Sequence, residues 1–101
     1  PAGQPASESA GLEVDERHCT VRWRNRPVDL PLTQYLMLRE LIQNPGHASS
    51  HRELMKAAGM HVAPNTVAAN IKSIRRAFQE EDPAFHCIRT ERGRGYRWVE
   101  N

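Results

Sequence analysis

Apolar residues recur along this chain first with a period of two, then with the helical period, and then again with a period of two. Leu12 and Val14 alternate with Glu13 and Asp15. Cys19, Val21 and Trp23 alternate with Thr20, Arg22 and Arg24, and Val28 and Leu30 follow the turn residues Asn25-Arg26-Pro27. This alternation predicts two to four short antiparallel strands within residues 12–30, with Trp23 packed into the core. Across residues 32–43, Tyr35, Leu38, Leu41 and Ile42 make a helical stripe that Leu36 and Met37 widen. Thr33 is placed to cap that helix and Asn44-Pro45-Gly46 to end it. Ser50-His51-Arg52-Glu53 fits a capping box and opens a second helix, which buries Leu54, Met55 and Ala58 and stops at Gly59. In residues 63–78, Val67, Ile71, Ile74 and Phe78 form the stripe of a third helix, with Pro64 in its first turn and Asn65 or Thr66 as cap. Gln79 and the acids Glu80, Glu81 and Asp82, followed by Pro83, end it. Residues 87–90 and 96–99 alternate again and predict a hairpin whose tip, residues 91–95, contains two glycines.

The polar side of the third helix changes the picture. At about 100° per residue, Asn65, Ala69, Lys72, Ser73 and Arg76 lie opposite the apolar stripe. This face has small and short polar residues and cations but no acid, so it can approach a polyanion closely. The hairpin adds Arg92 and Arg94 at its tip and Arg97 on its second strand. The net charge of +2 does not by itself indicate nucleic acid; the clustering does. The same faces could also be solvated basic surfaces. The amides near Ser50 and His51, at the start of the second helix, are a further candidate for a phosphate.

Composition adds limits. The chain of 101 residues suits one small domain, with 39% hydrophobic and 26% charged residues. Residues 1–11 read as a disordered linker or remnant, and residues 12–101 as the domain. Cys19 and Cys87 read as reduced, largely buried thiols of a cytoplasmic protein, with a disulfide as the alternative that sequence spacing leaves open. No run is apolar enough to span a bilayer, so this segment has no membrane partner. His47 and His51 straddle a helix start rather than share a face, and with His18, His61, His86 and the cysteines they give no metal spacing. Ser49, Ser50 and His51 are sequence neighbours, which is not triad geometry. Gly93-Arg94-Gly95 is too short to be a phosphate-cradling loop. An enzyme, a metal and a cofactor are therefore not expected.

Three motifs in order point to a family. Ile88-x-Thr90-x-Arg92-Gly93-x-Gly95-Tyr96-Arg97 resembles the wing of OmpR/PhoB-type response regulators. Thr66-Val67-x-x-x-Ile71-x-x-Ile74-Arg75-Arg76 is similar to their recognition helix. Asn44-Pro45-Gly46 followed by Ser50-x-x-Glu53-Leu54 is similar to the junction of their first two helices. The resemblance implies an α+β winged helix-turn-helix: an N-terminal antiparallel sheet of four strands, three helices and a C-terminal β-hairpin wing. It also implies a receiver domain upstream, tandem dimers on direct DNA repeats, and contact with RNA polymerase through the loop from Gly59 to Ala63. The sequence departs from the family at Asn65, where arginine is usual, at Ala68 and Gln34, where acids are usual, and at Pro31, where threonine is common.

The combined expectation is sequence-specific binding of double-stranded DNA, with a recognition helix of about residues 64–79 in the major groove. The DNA-binding candidates are Asn65, Thr66, Ala69, Lys72, Ser73, Arg75, Arg76, Arg92, Arg94 and Arg97. Ala69 suits a thymine methyl and Lys72 the guanine acceptors, Ser73 is promiscuous, and Arg75 and Arg76 suit phosphates. Arg92 or Arg94 suits the minor groove beside the wing, residues 89–97, or Arg92 braces the turn. Two alternatives remain open: a winged helix used for protein–protein contact, and the DNA-binding head of a membrane-bound one-component regulator.

Overall fold

The computed structural model describes residues 11–59 and 64–99, without the side chains of Pro64 and Asn65. Eight elements follow one another: β1 (Leu12–Asp15), β2 (Thr20–Trp23), β3 (Arg26–Val28), α1 (Leu32–Gln43), α2 (His51–Ala57), α3 (Pro64–Glu81), β4 (Ile88–Glu91) and β5 (Gly95–Trp98). The expected sheet, three helices and hairpin are all present. The N-terminal sheet has three strands among the described residues, in the order β1-β2-β3, where the resemblance implies four.

Register explains the sheet's two faces. Leu12 pairs with Trp23, Val14 with Val21, and Val21 with Val28, so the apolar positions stack on one side. All five are buried. Glu13 pairs with Arg22 on the other side, 3.7 Å apart at the charged atoms. The β2–β3 turn is one residue tighter than Asn25-Arg26-Pro27 predicts. Arg24 and Asn25 take φ of +52° and +69°, the two positive values that a two-residue type I′ hairpin needs. Arg26 and Pro27 thereby enter β3, an edge strand, where a missing proline N–H is harmless. Cys19 leaves the expected strand for the β1–β2 turn, at φ +55° and half-buried. Cys87 is buried. Gly11 sits against this sheet, its carbonyl accepting from Arg24 N at 2.7 Å.

Helix ends show where local signals compete. Thr33 does not cap α1: the helix starts at Leu32 after Pro31, so Thr33 lies inside its first turn, and no side chain caps it. α2 has the full capping box, with Ser50 Oγ accepting from Glu53 N at 3.1 Å and Ser50 N donating to Glu53 Oε1 at 2.8 Å. α3 starts at Pro64, which puts Asn65 and Thr66 inside the helix rather than at its cap. It also runs on to Glu81 despite the acids at its negative end. Arg26 donates to the Glu81 carbonyl at 3.2 Å and Trp23 Nε1 to Asp82 at 2.8 Å. A cation and an indole donor thus offset the unfavourable dipole contact.

The core lies where sheet, helices and hairpin meet. Val67, Ile71, Ile74 and Phe78 are all fully buried, as the stripe predicts. Phe78 stacks on Phe85 at 4.4 Å, and Trp23 meets Phe78, Phe85 and Trp98 edge-on at 5.7, 5.2 and 6.1 Å. This quadrupole-favoured packing joins β2, α3, the following loop and β5 in one aromatic cluster. Trp23 is a core residue, as read from the sequence, and so is Trp98.

Candidate nucleic-acid interface

α3 turns its groove-sized face outward because its other face is consumed by the core. Ala68, Ala69, Lys72, Ser73 and Arg76 are exposed, while Thr66 and Asn70 are half-buried at the margin. Asn70 Nδ2 donates to Thr66 O at 2.9 Å and Gln34 Nε2 to Asn70 Oδ1 at 3.3 Å, which fastens this margin to α1. The side chain of Asn65 and the loop residues Met60 to Ala63, proposed for polymerase contact, lie outside the described residues.

The wing is built by a close backbone approach. Arg94 N donates to Glu91 O at 2.9 Å, closing a turn with Gly93 at φ +75° in its third position, as a type II turn requires. Gly95 has φ +132°, and a Cβ there would lie within 2.9 Å of Ser50 Cα and nearer still to the Ser49 carbonyl. The missing side chain allows Ser49 to pair with Tyr96: Ser49 N donates to Tyr96 O at 2.6 Å and Tyr96 N to Ser49 O at 2.9 Å. The wing is therefore docked on the residues that open α2. Glu91 pairs with Arg97 at 2.9 Å, which anchors that arginine on the hairpin, half-buried.

Between the opening of α2 and the wing is an open cleft of about 380 Å³, lined by Ser50, His51, Arg52, Thr90 and residues 91–96. The His51 and Tyr96 rings pack in a T-shaped arrangement, their centres 5.4 Å apart. Arg52, Arg92 and Arg94 are exposed around it. Among the described residues, Arg52, Lys72, Arg76, Arg92 and Arg94 have no side-chain hydrogen bond or ion pair.

The sequence candidates fall in different places. Ala69, Lys72, Ser73 and Arg76 share the outer face of α3, and Arg92 and Arg94 form the wing tip. Arg97 and Arg75 are engaged within the protein. Arg75 reaches the Ile88 carbonyl at 3.0 Å and Thr90 Oγ1 at 2.9 Å. Thr66 is partly covered in the first turn of α3. The candidate list omits Arg52, although its sequence position carries a signal. A cation in the first turn of a helix opposes the dipole, so its placement calls for another reason than helix stability.

No group of three or more histidines, cysteines or acids forms a metal site among the described residues, and no described helix is long and apolar enough to cross a membrane.

Comparison with known proteins agrees with this geometry. The family described as "Transcriptional regulatory protein, C terminal" matches residues 25–98. Transcriptional regulatory protein CreB of Escherichia coli K12 is 27% identical over 95 residues, covering 91% of this chain and 42% of CreB. Transcriptional regulatory protein BaeR of Escherichia coli O6:H1 is 29% identical over 98 residues, covering 94% of this chain and 41% of BaeR. The chain thus spans less than half the length of these relatives. Among solved structures, the DNA-binding domain of response regulator AdeR, in complex with an intercistronic region, matches at TM-score 0.83 and 25% identity, covering 94% of this chain and 99% of that one. The wing, the recognition helix and the match over residues 25–98 agree: this chain belongs to the C-terminal domain family of transcriptional regulatory proteins, of the OmpR/PhoB response-regulator type.

Proposed function

We propose that this domain binds double-stranded DNA sequence-specifically, as the output domain of a two-component transcriptional response regulator. One observation carries the reading. Two elements fastened to each other, α3 and the wing, present Lys72, Arg76, Arg92 and Arg94 without any partner for these cations among the described residues. An exposed cation is best satisfied by water or a polyanion, and the small residues Ala69 and Ser73 beside these let a duplex approach the helix backbone. α3 has the width to enter a major groove about 12 Å across. Lys72 and Ser73 then meet base edges and Ala69 a thymine methyl, while Arg76 meets a phosphate. Arg92 and Arg94 reach the neighbouring minor groove, and Arg52 adds a backbone contact from the start of α2. The structure of AdeR with an intercistronic region supports this placement by likeness of fold.

The wider assignment extends the family resemblance of the sequence: a receiver domain upstream, tandem binding to direct repeats, and polymerase contact through residues 59–63. Selection of bound duplexes from a random pool tests it. Enrichment of direct repeats about one helical turn apart is expected. No enrichment would overturn DNA reading and favour a protein-contact module.

A further inference from the structure

Arg75 lies on the flank of α3, between the buried stripe and the exposed face, and its guanidinium turns toward the wing. Nε and Nη2 both donate to the Ile88 carbonyl, at 3.2 and 3.0 Å, and Nη2 also donates to Thr90 Oγ1 at 2.9 Å. The guanidinium carbon stands 5.8 Å from the Tyr96 ring centre. Ile88 and Thr90 belong to β4, the strand that pairs with β5 on one side only. β5 has its second neighbour in Ser49, so the wing is tied to α2 through β5 and to α3 through Arg75. Tyr96 joins these ties, with the His51 ring packed against its own and Thr90 opposite it in the ladder. A planar fork with several fixed donors suits this role, and a lysine ammonium cannot reproduce it.

We infer that Arg75 is a positioning residue: it fixes the wing tip relative to the groove-facing side of α3 and acts on DNA through the wing, not through a phosphate of its own. This rests on the proposed DNA-binding function. It assigns to Arg75 a different task from that of its neighbour Arg76, which is exposed and unpartnered among the described residues.

The test uses the whole chain with Arg75→Met and Arg75→Lys, each alone and in an Arg92→Ala/Arg94→Ala background. Without DNA, hydrogen exchange at wing amides 89–97 should quicken about tenfold or more in both Arg75 variants, since hydrogen bonds to a charged group are lost. Unchanged exchange would overturn the clamp, whatever DNA does. With a selected duplex, both variants should lose about tenfold in affinity. That loss should vanish once Arg92 and Arg94 are alanine, because the two effects share one route. If Arg75→Lys keeps wild-type affinity, or if the Arg75→Met loss is undiminished in the alanine background, Arg75 contacts DNA directly and the inference fails. A wild-type chain that binds no duplex overturns the proposed function instead, and exchange alone then judges the clamp.

Discussion

Arg22, Arg24 and Arg26 on the N-terminal sheet each have an internal partner. Arg22 meets Glu13 at 3.7 Å and donates to Asn25 O at 2.6 Å; Arg24 lies 3.6 Å from Asp82 and over the Trp23 ring; Arg26 holds the Glu81 carbonyl. Arg52, Arg76, Arg92 and Arg94, toward α2, α3 and the wing, have none among the described residues. The residue type is the same, so its chemistry cannot explain the contrast. What differs is the placement of acids. Glu13, Glu81 and Asp82 stand beside the sheet's arginines, whereas the outer face of α3 around Lys72 and Arg76 has no carboxylate until Glu80. Arg22, Arg24 and Arg26 bind the fold together, whereas Arg52, Arg76, Arg92 and Arg94 are left available for a partner. Arg75 and Arg97 lie between these cases, since each is occupied but occupied in holding the wing.

At the sheet end, Trp23→Ala should cost about 3–5 kcal/mol of stability in denaturant titrations, through the cavity it opens in the aromatic cluster. At the wing, Gly95→Ala should cost about 2–3 kcal/mol, because the new Cβ meets the Ser49 backbone at a φ that side chains avoid. Its signature is lost protection of the Ser49 and Tyr96 amides in hydrogen exchange. Ser50→Ala should cost about 1 kcal/mol by removing the α2 cap, read by the same titration.

The Asp82 carboxyl sharpens the contrast through pH. The Trp23 indole N–H bond, chiefly, and then the Ala84 amide and nearby Arg24 and Arg26 hold it below its ordinary value of 3.8, against an opposing effect of burial. A depressed acid contributes stability that is fully present above that ordinary value and is lost as pH falls through the lowered one. Asp82→Asn should therefore lower the melting temperature at neutral pH, and the gap from wild type should close in strongly acidic solution. A gap independent of pH would show that the carboxylate charge is not what Trp23 and Arg24 hold.

How much of this could be read from sequence depends on the range of each interaction. The α3 stripe was legible because Val67, Ile71, Ile74 and Phe78 repeat within one element, and burial follows from period alone. The wing was legible because Gly93 and Gly95 sit between two alternating runs. The exposed cations Lys72 and Arg76 were legible by elimination, as the face left over. The β2–β3 turn was not, because an arginine at positive φ contradicts local preference, and Arg24 is held there over the ring of the adjacent Trp23 and beside Asp82, far along the chain. The extra turn residues of α3 were missed for the same reason: Trp23 and Asp82 are 59 residues apart. The role of Arg75 was hidden too. Its angle on the helix lies between buried and exposed, and only the folded chain shows that Ile88 and Thr90 stand beside it.

The central claim is that the unpartnered cations of α3 and the wing exist for a duplex and not for the fold. The most direct measurement is the salt dependence of binding to a selected duplex for wild type and Lys72→Ala/Arg76→Ala, alongside thermal melts. The account predicts a slope shallower by about one to two counterions, with stability changed by less than about 0.5 kcal/mol. Equal affinity and equal slope for the two proteins would contradict it.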